Sequence, residues 1–120
     1  MALLTLKFVT DVRDPDYEVV EFHGELDQSN LAATEKQMRG ALKTFDRPHL
    51  VCDLSDLHFV HSEGIGFFAS MHAKLAKRGQ HLALCGLKGN IADVFSAVGM
   101  DKLIPMFPSV SDAVHSIKKT

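Results

Sequence analysis

His49 to Gly66 reads HLVCDLSDLHFVHSEGIG, and this stretch sets the fold class. Leu50, Val51 and Cys52, followed by Asp53 and Leu54, form a short apolar run bounded by polar residues. Such a run is too brief for a core helix and suits a buried strand. Phe59 and Val60 then lead into the turn His61-Ser62-Glu63-Gly64. Beyond it Ile65, Phe68, His72 and Leu75 recur at helical spacing, Ala69 and Ala76 widen the stripe, and Arg78-Gly79 supply a stop. The helix is expected from about Gly64 to Lys77. Ser62 therefore stands at a strand-to-helix junction. Backbone N–H groups there lack intrahelical partners and the helix dipole is positive, so the position suits an oxygen acceptor or an anion.

Working outward, His81 to Cys85 is another apolar strand. Strand, helix and strand joined by short links imply a parallel, right-handed crossover. Upstream, Leu4, Leu6 and Phe8 alternate with polar residues, and Asp11 to Asp16 form a turn around Pro15. Tyr17 to His23 is a second strand that Gly24 is expected to end, which suggests an antiparallel hairpin. Ser29 is the expected N-cap of a helix whose inner face carries Leu31, Thr34, Met38, Ala41, Leu42 and Phe45, and Pro48 closes it. Downstream, Ile91, Val94, Phe95 and Val98 define a short helix stopped by Gly99. Leu103 to Phe107 is expected as a strand, at an edge or irregular because Pro105 donates no ladder hydrogen bond. Ser109-Val110-Ser111-Asp112 has capping-box spacing before a last helix with Val110, Ala113, Val114 and Ile117 inward. The expected fold is α/β, one domain over residues 1–120: a mixed sheet, parallel in its interior, with about four helices.

The 120 residues suffice for one core, and a formal net charge of −2 lacks the basic excess of a nucleic-acid binder. No apolar run approaches the ~20 residues of a membrane span. The segment MALLTLKFVT has no charged leader or small-residue cleavage site. Cys52 and Cys85 lie inside apolar runs, as expected of buried thiols in a reducing, cytoplasmic setting. Neither nucleic acid nor membrane insertion is expected.

By residue type Ser62 fits a helix cap, a phosphate acceptor or a nucleophile. The nucleophile reading lacks support: Val60 stands where the first glycine of G-x-S-x-G belongs, and adjacent His61 is poorly placed to activate its neighbour. His58, His61 and His72 lack metal-site spacing, and Gly64-Ile65-Gly66 is only a fragment of a phosphate-binding glycine pattern, so neither a metal nor a cofactor is expected. Phe67 and Met71, four apart, lie to one side of the inward stripe; they either widen the core or leave apolar surface beside Ser62. Asp27, in a loop after a strand, is either solvated or close to the Ser62 turn.

The order of elements, together with GELDQSN at 24–30, the stretch from Leu50 to Phe68, LALCGLKGNIADVFSAVGMDKLIPMF at 82–107 and SVSDAV at 109–114, resembles the STAS domain family, named for sulfate transporters and anti-sigma factor antagonists. The resemblance implies a non-enzymatic, protein-binding regulator of transcription. In its antagonists the serine heading the second helix is phosphorylated by an anti-sigma factor that is also a kinase, and only the unmodified form binds that kinase. Carried over by position, Ser62 is the acceptor, Asp27 the nearby loop acid, and the turn residues His61, Glu63 and Gly64 with the Phe67/Met71 side of the helix form the partner surface. A phosphatase would reset the switch. The family's usual Asp-Ser-Ser-Gly turn is altered here: His61 replaces the acid, and Glu63 replaces the second serine and leaves a permanent negative charge. The alternative reading is a non-phosphorylated adaptor for a transporter ATPase or a sensory complex.

Overall fold

The computed structural model describes residues 2–119. Among them, five strands form one sheet in the order β1-β2-β3-β4-β5. These are β1 (Leu4–Val9), β2 (Tyr17–Leu26), β3 (His49–Val60), β4 (His81–Cys85) and β5 (Met106–Phe107). β1 and β2 are antiparallel, and every later pairing is parallel, as the hairpin followed by crossovers predicts. The helices are α1 (Leu31–Thr44), α2 (Ser62–Ala76), α3 (Gly89–Ala97), α4 (Met100–Leu103) and α5 (Val110–Lys118). The fifth helix, absent from the expectation, is the single turn α4. It takes Leu103 out of the expected last strand, leaving β5 only Met106 and Phe107 at the sheet's edge.

The larger core lies on one face of the sheet. Phe22, Leu26, Leu50, Cys52 and Leu54 meet Met38 and Leu42 of α1, Phe68 and Leu75 of α2, and Phe95 of α3 there. α5 covers part of the other face, where Val19, Val51 and Cys85 pack on Ala113. Its start has the N-cap half of the expected capping box: the Ser109 hydroxyl accepts from the Asp112 N–H at 3.1 Å, and it donates to the Asp112 carboxylate at 2.9 Å. The two cysteines are on neighbouring strands but opposite faces, so both are buried free thiols. Burial pushes the Cys85 thiol up to about 12 and the Cys52 thiol up as well.

β3 is longer than the short run that its sequence suggested. It continues through Ser55–His58 because it carries two extra residues relative to β2: Glu21 pairs Asp53 while His23 pairs Asp56, and Gly24 pairs Leu57 while Glu25 pairs Phe59. Each extra residue reverses the alternation of faces. Leu54 and Leu57, three apart, therefore both reach the larger core, whereas Phe59 is turned out beside exposed Glu25. β2 likewise does not end at Gly24. That residue, at φ 120°, lets the chain pass so close to β1 that a Cβ would stand 2.1 Å from the Leu3 carbonyl oxygen, and β2 then runs on to Leu26.

Farther along the face that α5 leaves open, His23 Nδ1 meets the Asp56 carboxylate at 2.7 Å and Nε2 meets Glu21 at 2.9 Å, while His58 holds the second Asp56 oxygen at 2.9 Å. The hydrogen bond to Asp56, and then that to Glu21, raise the His23 pKa above its ordinary value, and the same bond holds Asp56 below the usual carboxylate range. The folded state thus favours imidazolium at position 23. Its contribution to stability is complete below the unfolded value, near 6.5, and disappears as pH rises through the raised folded value. Thermal melts of wild type and His23→Gln should differ most at about pH 5 to 6 and converge towards pH 9; a gap constant across that range would mean that the ring acts by packing alone.

Candidate functional site

β2 and β3 end side by side. Leu26 pairs with Val60, and the His61 N–H donates to the Leu26 carbonyl at 3.1 Å, which ties the start of α2 to the end of β2. This places the Asp27 loop and the Ser62 turn together at the carboxyl ends of two adjacent parallel strands, the edge of open α/β sheets where ligands and partners commonly bind.

Each side of the site has a local cause. After β2, the Asp27 carboxylate accepts from the Ser29 N–H at 2.8 Å and from the Ser29 hydroxyl at 2.6 Å. Those two bonds, with a smaller attraction from His61, keep its carboxyl below the usual range. Ser29 is consequently not the helix cap that was expected. Asn30 takes that position and turns its side chain back, accepting from the Asp27 N–H at 3.0 Å and donating to the Glu25 carbonyl at 2.9 Å. Asp27 is thus an anchored, ionised group, half-buried beside the Ser62 turn.

On the other side His61, with φ −87° and ψ 171°, is the N-cap of α2, and its carbonyl accepts the first helical bond, from the Ile65 N–H at 3.1 Å. The helix begins two residues before the expected Gly64. Ser62 is therefore the first helical residue rather than the cap. It is exposed, and its hydroxyl makes no hydrogen bond among the described residues. Ser62, Glu63 and Gly64 all carry first-turn N–H groups without intrahelical acceptors. Glu63 is exposed and its charge suits the positive end of the helix. Both ring nitrogens of His61 are shielded from solvent and have no hydrogen-bond partner among the described residues, so this ring does not activate Ser62 as a base would.

Gly64 is the hinge of this packing. A Cβ on it would fall 2.8 Å from Val60 Cγ2, 3.0 Å from Leu26 Cδ2 and 3.1 Å from His61 Nδ1. Only a bare Cα lets α2 start so near the ends of both strands.

Phe67 and Met71 do not flank the site with apolar surface. They are 5% and 3% exposed, and the Phe67 ring packs 5.2 Å from Phe68 and 6.5 Å from Phe22. The core is wide enough to take them because α1 crosses that side of α2, with Met38 and Leu42 in the same cluster. Contrary to expectation, then, neither residue belongs to the surface of a docking face. The apolar surface near Ser62 is supplied instead by Phe59, 48% exposed, and Val94, 43% exposed. With His58, Val60, Asn90 and Ile91 they line an open cleft of about 210 Å³. β4 pairs with β3 only as far as Asp53, so α3 lies beside the free end of β3. Phe59 is not marked out by the sequence because strict alternation from Leu57 would bury it. The extra residue at His58 is what turns it out.

The family model described as STAS domain matches residues 8–113. An anti-sigma F factor antagonist from Paenibacillus polymyxa is 23% identical over 100 residues, covering 83% of this chain and 86% of that protein. Among solved structures, an anti-sigma factor antagonist from Mycobacterium paratuberculosis superposes with a TM-score of 0.83 at 27% identity, covering 97% of this chain and 95% of the other. The Bacillus cell fate determinant SpoIIAA in its phosphorylated form shares the fold, with a TM-score of 0.68 at 18% identity over 96% of this chain and 99% of its own.

The tight contact at Gly64 leads to a paired expectation. Gly64→Ala should lower stability by about 1–3 kcal/mol through overpacking against the stiff side chain of Val60. Gly66→Ala, where a Cβ meets nothing within 4 Å, should raise it by about 0.5–1 kcal/mol. Chemical denaturation of both variants checks the contrast, and equal effects would show that Gly64 is not held by close approach.

Proposed function

Since this chain belongs to the STAS domain family, we propose that it is an anti-sigma factor antagonist, a protein-binding regulator that works without catalysis of its own. Its partner is an anti-sigma factor with serine kinase activity, and its binding is switched by phosphorylation of Ser62. The observation that carries this reading is the unpartnered, exposed Ser62 hydroxyl in the first turn of a 15-residue helix, beside the ionised Asp27. The antagonists among its relatives support the role.

The chemistry asked of Ser62 is simple. Its oxygen attacks the γ-phosphorus of ATP held by the kinase, the hydroxyl proton passes to a base of the kinase, and ADP leaves. The product carries about −1.5 to −2 charges and three acceptor oxygens. First-turn N–H groups and the dipole of α2 accommodate that charge within the fold. Across a docked interface the same charge, added to Asp27 and Glu63, costs desolvation and repulsion. The modification therefore releases the partner without unfolding the domain, and a phosphatase that hydrolyses the ester restores binding. The docking surface in this reading joins the exposed turn to the Phe59/Val94 cleft, with Phe67 and Met71 supporting it from within.

A second reading, a constitutive adaptor for a transporter ATPase or a sensory complex, is favoured by Glu63, which keeps a negative charge beside Ser62 whether or not Ser62 is modified.

Protein recovered from its own host across growth and stress conditions should carry phosphate on Ser62, mapped by mass spectrometry, in a fraction that changes with conditions. Ser62→Ala should bind the kinase partner constitutively and Ser62→Asp at least about tenfold more weakly, a difference of about 1.4 kcal/mol. Equal affinities with an always unmodified Ser62 would leave the adaptor reading. Phe59→Ala should weaken the same complex by about tenfold, the loss expected of a central aromatic anchor, with the melting temperature unchanged because the ring is half exposed.

A further inference from the structure

The opposite end of α2 carries a different kind of surface. Arg39 and Lys43 of α1, Lys74 of α2, and Lys77 and Arg78 just beyond it surround an open cleft of about 390 Å³ with Leu42 in its lining. The whole chain has a formal net charge of −2, so this gathering of five cations is not a consequence of a basic composition. Arg78 has a structural role, since its guanidinium donates to the Leu42 carbonyl at 2.7 Å and to the Phe45 carbonyl at 2.5 Å, closing the end of α1. The side chains of Arg39, Lys43, Lys74 and Lys77 make no ion pair or hydrogen bond among the described residues.

Arg39 and Lys43 are also four apart on one helix, an arrangement destabilised by like-charge repulsion. The negative ends of the two helix dipoles offset part of this for the cations in the last turns. The groove continues over Met38 and Met71 towards Glu35 and Ser70 at its other end, so the cations are concentrated at one end.

We propose that this cleft docks an acidic amphipathic segment of a protein partner, its apolar side on the aliphatic stems of the cations, its carboxylates against Arg39, Lys43, Lys74 and Lys77. The charges are strung along two helices, over a rise of about 6 Å between residues four apart, which suits a row of carboxylates better than a single phosphate. Lys74 lies twelve residues beyond Ser62, about 18 Å along the helix axis. At that distance in salt the charge on Ser62 is screened, so this surface works independently of the Ser62 switch and remains available in both of its states.

The test titrates isotope-labelled protein with a synthetic helical peptide bearing glutamates on one face and leucines on the other, read by amide chemical shifts. A peptide of the same composition in scrambled order, inorganic phosphate and phosphatidylglycerol vesicles serve as competing probes. Shifts confined to residues 38–45 and 70–78 are expected, with affinity at least tenfold lower for the scrambled peptide, at least tenfold lower for R39E/K43E/K77E, and unchanged by Ser62→Asp. R39Q/K43Q, which removes charge without reversing it, gives the same reading if the triple variant folds poorly. The proposal is overturned by shifts elsewhere or none, by equal affinity for the scrambled peptide, by insensitivity to both sets of substitutions, or by phosphate or vesicles binding at the cleft where the peptide does not.

Discussion

Everything at the candidate site depends on how closely α2 is allowed to approach the ends of β2 and β3. The His61 N–H to Leu26 carbonyl bond and the bare Cα of Gly64 against Val60 and Leu26 hold three elements within van der Waals contact of one point. From that point the first turn of α2 must project its exposed residues, Ser62 and Glu63, beyond the sheet edge, next to the Asp27 loop. The site is thus positioned by backbone hydrogen bonds and by a missing side chain. The polar side chains of Asp27 and Asn30 fix the loop on the β2 side, whereas the Ser62 hydroxyl takes no part in holding the turn in place.

The same helix explains the division of labour over the surface. α2 contributes Ile65, Phe67, Phe68, Met71 and Leu75 to the interior, while Ser62, Gly66, Ser70 and Ala73 lie along its exposed side. The two ends of the helix differ in electrostatic preference. At the N-terminus the dipole and the orphan N–H groups favour an anion, and the exposed hydroxyl of Ser62 stands there. Beyond the C-terminus the dipole favours cations, and lysines and arginines from α1 and α2 collect there. One helix thereby presents surfaces of opposite electrostatic preference, separated by the buried length between them.

The exposure of Phe59 follows from the bulges in β3. A strand that alternated without interruption would have sent Phe59 inward with Leu57. The extra residue at His58 instead pairs Phe59 with Glu25 and turns the ring into the cleft beside α3. Bulges of this kind are common next to functional sites because they re-aim a side chain without ending the strand.

Much of this was legible in the sequence because it is local. The apolar run at Leu50–Leu54, the helical spacing from Ile65 to Leu75 and the N-cap at Ser109 each report a short-range preference, and each of these elements includes the expected stretch, whereas the last strand keeps only Met106 and Phe107 of its expected span. Ser62 at the junction of β3 and α2 was legible for the same reason. What only the tertiary structure decided is non-local. Whether Phe67 and Met71 are buried depends on α1 crossing α2, not on their spacing. That Gly24 continues its strand depends on how closely β1 passes. Which way Phe59 faces depends on a register mismatch with β2, and the cation cleft exists only because residues 39, 43, 74 and 77 of separate elements are brought side by side. Periodicity along one chain segment carries information about its own faces, whereas burial, register and charge clustering are properties of pairs of segments, and only folding makes those pairs.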